Sequence, residues 1–227
     1  MVDRDLGIVL IGDMVDSRRD LRGSSLWLAK LVATLNARYG RQRLAAFEFT
    51  QGDELQGLLV ATADPFDAVL AAALDEDPWP VRWAIAAGEV EPGRGPATRR
   101  TGAVFLAARE AAERGRRERL GLVTRSGDPG ADRLLDDVTP VLADLLAELS
   151  HRQRSIGRLM LLEGHRQAQV AEALGIARAT VSVAYGRGRL ASIERLLDAS
   201  RRLFAAGMAA SADPSRRTGA QAGNAAG

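Results

Sequence analysis

The 227-residue sequence predicts an α+β fold, a βαββαβ sheet domain followed by an all-α helix-turn-helix domain, and three observations carry that reading. Apolar runs of strand and helix period alternate over the front of the chain. From Ser150 to Phe204 only helical spacing persists. The charge also changes sign: residues 1–149 hold 19 Lys+Arg against 24 Asp+Glu, residues 150–227 hold 12 against 5, and the resulting −5 and +7 sum to the chain's +2.

"LGIVLIG" (6–12) is a continuous apolar run, the mark of a buried strand, and "SSLWLAKLVATLNARYG" (24–40) has helical spacing with Ser24 or Ser25 as cap and Gly40 as stop. "LAAFEFT" and "LQGLLVAT" form a hairpin around the tip "QGDE". A helix follows from Pro65 to about Leu74, then a strand "VRWAIAAGEV" (81–90), a Pro/Gly/Arg loop (92–100), a helix over 102–117 and a short strand over 120–125. "RSGDPGAD" (125–132) reads as a loop and 137–149 as a connecting helix. The expected domains are residues 1–128, a connector over 129–149, the helix-turn-helix domain over 150–206 and a tail over 207–227 too poor in apolar side chains to order itself.

Composition excludes several chemistries. There is no cysteine, so neither disulfides, thiolate metal sites nor a thiol nucleophile is available, and two histidines are too few for a His-rich centre. No stretch approaches eighteen apolar residues and no cleavable leader is evident, which predicts a cytoplasmic protein without membrane contact.

Two strand ends carry Gly-Asp. In βαββαβ order the first strand and the central hairpin are neighbours, so Asp13 and Asp53 are expected to meet. Carboxylates brought together repel unless one protonates or a cation joins them, and Mg²⁺ or Mn²⁺ with phosphate oxygens suits such a pair. Asp13, Asp53 and Glu54 are thus candidate metal ligands, with the backbone at Gly12, the Ser17 hydroxyl and Arg18 as candidate phosphate contacts. The competing reading is that both aspartates cap turns; Arg19 reads as surface.

Residues 8–125 resemble the palm-type catalytic domain of class III nucleotidyl cyclases, in which a strand-end Asp and a hairpin Gly-Asp hold two metals over a nucleoside triphosphate. The resemblance implies a palm-like fold, a nucleotide or other phosphorylated ligand, a homodimer with a shared site, and a phosphate role for Arg109 in "TGAVFLAARE". Phe105 stands where the cyclases have Asn, and no Lys precedes the hairpin near Phe49, so cAMP synthesis is not expected. "IGDMVDSR", "TQGDELQGLL" and "AAREA" also follow the pattern of the SatD family over most of residues 8–117, although Thr101, Gly102 and Ala103 replace its usual Asp-Gly-Pro. Arg18 belongs to that pattern.

"HRQAQVAEALGIARATVSVAYGRGRL" (165–190) has helix-turn-helix order: a helix over Gln167–Leu174, a turn at Gly175, Ile176 beneath it and a second helix from about Arg178. It is similar to the fourth region of bacterial sigma factors. Arg178, Thr180, Ser182 and Tyr185 are placed for a DNA major groove, and Arg187 and Arg189 for phosphates. The expectation is a DNA-binding regulator with a ligand-binding front domain. The alternatives are a metal-dependent nucleotidyl-transfer or nucleotide-hydrolysing enzyme, and a ligand-free palm that only dimerises the DNA-binding part.

Overall fold

The computed structural model describes residues 5–49 and 53–213. Thr50, Gln51 and Gly52 of the predicted hairpin tip, and the tail from residue 214, lie outside the described residues. The strands are β1 (Asp5–Met14), β2 (Arg43–Phe49), β3 (Glu54–Val60), β4 (Val81–Val90) and β5 (Leu122–Arg125). The helices are α1 (Leu21–Tyr39), α2 (Phe66–Ala73), α3 (Ala103–Glu118), α4 (Pro129–Ala147), α5 (His151–Gly157), α6 (Gln167–Leu174), α7 (Arg178–Arg187) and α8 (Leu190–Ala212). Among the described residues no helix is long and apolar enough to cross a membrane.

The sheet order is β2-β3-β1-β4-β5, antiparallel except for the β4/β5 pair. This is the split βαβ arrangement of a βαββαβ unit, in which β3 is inserted beside β1, with β5 added at the free edge. The α+β class predicted from the sequence holds. Alternation along β1 divides its side chains between two cores: Ile8, Leu10 and Met14 join α1, α2, α4 and α8, whereas Val9 and Ile11 join Val104, Phe105 and Ala108 of α3. At Gly57 of β3 the backbone passes so near Phe47 that an added Cβ would sit 2.4 Å from its ring.

Two element boundaries differ from expectation. Helix α4 starts at Pro129 inside the stretch read as a loop, because the Asp128 side chain accepts from the Ala131 amide and Pro129 fills the first turn, where no amide is needed. The cap of α1 is Asp20, accepting from the Gly23 amide at 2.9 Å, while Ser24 instead donates to the Ser17 carbonyl.

The C-terminal helices do not form a separate body. Val170, Val181, Ile193, Leu197 and Phe204 are buried in the same cluster as Leu10, Phe66 and Leu135. Helix α8 runs past position 206 to Ala212, its Phe204 ring meeting Phe66 edge-on at 6.0 Å and its Arg201 pairing with Asp64 at 2.6 Å and Asp67 at 3.1 Å. Gly207 lies against Ser126 so closely that a Cβ would fall 2.0 Å from its Oγ.

Candidate functional site

Antiparallel register places Asp13 directly opposite Glu54 on β3 and Arg82 on β4, so three charged side chains stand in one row across adjacent strands. Arg116 of α3 lies over this row. Its guanidinium is 3.8 Å from Asp13 and 3.7 Å from Glu54, and Arg82 is 3.7 Å from Asp13. These separations are Coulombic contacts longer than direct hydrogen bonds. Asp13 is largely buried, and burial raises its pKa above the ordinary aspartate value; Arg116 and Arg82 pull it down, and Asp53 pushes it up.

The row opens into a groove of about 550 Å³ whose walls include Phe49, Glu54, Gln56, Arg109, Glu113 and Arg116. Arg109 and Arg116 are two helical turns apart on one face of α3, so both guanidinium-bearing chains reach the same groove. Gln56 is buried and donates to the Ala97 carbonyl at 2.9 Å, fixing the floor.

The expected meeting of Asp13 and Asp53 takes a different form. The Asp53 carbonyl accepts from the Met14 amide at 3.1 Å, but its carboxylate turns toward the start of α1 and accepts from the Ser17 hydroxyl. Ser17, Ser24, Asp53 and Phe49 border a separate recess of about 410 Å³. Glu54, not Asp53, is the register partner of Asp13. Among the described residues no three His, Cys, Asp or Glu side chains form a metal-holding group. Gly12 lies within the sheet between Leu55 and Trp83, where a Cβ would come within 3.2 Å of both, so packing accounts for it. Arg18 belongs to the short turn Ser17–Arg19, and its side chain lies outside the described part of the molecule. Arg19 pairs with Asp16 on the surface.

Sequence reasoning missed Arg82 and Arg116. The signals exist: Arg82 falls on the same strand face as Ala84 and Ala86, and Arg116 lies seven residues after Arg109. Neither becomes meaningful until the register of β1 against β4 and the docking of α3 are known.

In the C-terminal part, α6 ends at Gly175, whose φ of 62° is readily adopted only without a Cβ, and the Ile176 amide returns to the Ala171 carbonyl. Val170, Ala171 and Val181 are buried between α6 and α7 and the neighbouring helices. Arg178, Thr180, Ser182 and Arg187 are exposed on α7. Tyr185 and Arg189 are engaged within the chain: the Tyr185 hydroxyl donates to Glu194 at 2.8 Å, and Arg189 pairs with Glu148. Arg152 of α5, not singled out from the sequence, shares a groove of about 450 Å³ with Thr180, Val183 and Arg187.

Comparison with curated proteins and with solved structures gives no match. Residues 7–113 match the model of the SatD family, a span that contains Asp13, Glu54, Arg82 and Arg109. Through this sheet region, the chain is similar to the SatD family.

Proposed function

We propose that the protein is a DNA-binding regulator whose sheet region holds a phosphorylated ligand, a nucleotide in the leading reading, together with a divalent cation. The observation that carries this is the pairing of Asp13 and Glu54 beneath Arg116 on a groove that Arg109 also lines. Mg²⁺ needs only one or two protein carboxylates when phosphate supplies further oxygens, so Asp13 and Glu54 fit that donor set. Such an ion would neutralise phosphate charge there. Arg109 and Arg116 offer guanidinium groups to the remaining phosphate oxygens. Arg116 now spans both carboxylates, and a ligand phosphate beside the ion would give that guanidinium an alternative partner.

The DNA-binding part of the reading rests on α7, where Arg178, Thr180, Ser182 and Arg187 are free of the core, with Arg152 beside them. A single helix-turn-helix reads few base pairs, which favours a two-fold dimer on paired half-sites. Arg109 lines the groove of its own chain, which favours a ligand site held within one protomer.

Calorimetric titration of the full chain with ATP and GTP, with Mg²⁺ or with chelator, tests the ligand reading. Saturable Mg²⁺-dependent binding is expected, and Asp13→Asn should abolish it without changing the circular dichroism spectrum. Parent-like binding by Asp13→Asn would remove the cation from this site. Asp53→Asn, whose carboxylate faces Ser17, is expected to weaken binding less.

A further inference from the structure

A second cavity, of about 460 Å³, lies between α2, the start of β4, α4 and α5. Its size is within the usual range for small-molecule pockets. Two of the three tryptophans of the chain, Trp79 and Trp83, line it, and α2 and α4 contribute four alanines, Ala72, Ala73, Ala143 and Ala147, beside Val69, Asp144 and Leu146. Alanines facing indoles leave a flat apolar space that larger side chains would fill. Three guanidinium groups, of Arg82, Arg119 and Arg154, reach the lining, against the carboxylates of Asp77 and Asp144.

Arg154 is the informative one. Its two terminal nitrogens donate to backbone carbonyls, of Leu149 at 2.6 Å and Glu76 at 3.3 Å, and its Nε is buried without a partner. Among the described residues its charge meets no carboxylate. A buried donor left unsatisfied on a cationic group is unfavourable, and an anion admitted to the cavity would relieve both deficits.

We infer that this cavity is an effector site for a planar aromatic anion, an arene carboxylate or sulfonate, whose ring lies among Trp79, Trp83 and the alanines and whose charge is met by Arg154. The site is separate from the groove lined by Glu54, Arg109 and Arg116, though Arg82, which lines the cavity, also pairs with Asp13. Its position gives it a regulatory role. Arg154 belongs to α5, the first helix of the C-terminal part, and through Glu76 it ties that helix to the loop after α2. An anion at Nε draws on the same guanidinium that makes this tie, so occupancy and the placement of α5 beside α7 are linked.

The probe is 8-anilinonaphthalene-1-sulfonate added to the full chain, read by dye emission excited through tryptophan. Saturable single-site binding is expected. Its uncharged counterpart, N-phenyl-1-naphthylamine, supplies the same rings without the sulfonate. Arg154→Gln should weaken the sulfonate by about tenfold, in the range for a lost charge-assisted contact, and leave the uncharged dye unchanged. Ala147→Leu, which preserves every hydrogen bond of Arg154, should weaken both dyes and carries the test if Arg154→Gln does not fold. Unsaturable binding, or parent-like binding of the sulfonate to both variants, would overturn the inference.

Discussion

Asp13 sits between two guanidinium groups, yet burial outweighs them and raises its pKa. The folded chain therefore holds the Asp13 proton more tightly than the unfolded chain does. Stability on this account declines as pH rises from the unfolded value, about 3.9, through the folded one. Asparagine keeps the shape and cannot ionise. Asp13→Asn should accordingly unfold at a higher temperature than the parent at neutral pH, with the difference closing in acid; thermal melts across a pH series measure it. A variant less stable than the parent at neutral pH would mean that the pairs with Arg82 and Arg116 dominate. At this scale the carboxylates stand out in the sequence, because Gly-Asp at the end of an apolar run is a local pattern. It could not mark Arg82 or Arg116, whose meaning depends on register and on the docking of α3, and it could not decide that Glu54 rather than Asp53 shares a strand face with Asp13.

Among the elements, α6, the turn at Gly175 and α7 were legible to the residue, since a left-handed glycine and 3.6-residue spacing leave little freedom. Helix α4 was not, because Asp128, Pro129 and Gly130 serve a loop as readily as a helix start; the Asp128 cap decides between them. The exposed face of α7 leads to a prediction that separates its roles. If Arg187 contacts phosphate and Arg178 enters the major groove, replacing Arg187 with alanine should reduce the slope of log affinity for DNA against log salt by about 1, and replacing Arg178 should relax base preference. Tyr185→Phe removes only the hydrogen bond to Glu194. It should cost about 1 kcal/mol of stability and leave the salt slope unchanged, which filter binding and urea unfolding together would check. An unchanged slope in the Arg187 variant would take α7 off the DNA backbone.

At the scale of the whole molecule, the sheet and the C-terminal helices contribute to one shared apolar cluster. Charge and periodicity change near residue 150, but the apolar faces of the later helices close the same core as α1 and α2. Local patterns report that a helix has an apolar face and are silent on what covers it. Phe204→Ala should cost about 3–5 kcal/mol of global stability, and calorimetry should show one cooperative transition for the sheet and the C-terminal helices together; two well-separated transitions would restore independent domains. Removing residues 150–227 is expected to leave the remaining chain unfolded. The return of α8 to Phe66 also has a meaning for synthesis. At translation rates of roughly 5–20 residues per second, Phe204 follows the first strand by on the order of ten to forty seconds. Throughout that interval the sheet face bearing Ile8 and Leu10, with Phe66 of α2 beside it, lacks its last cover. Newborn chains present, for that interval, an apolar surface on which chaperones and aggregation compete.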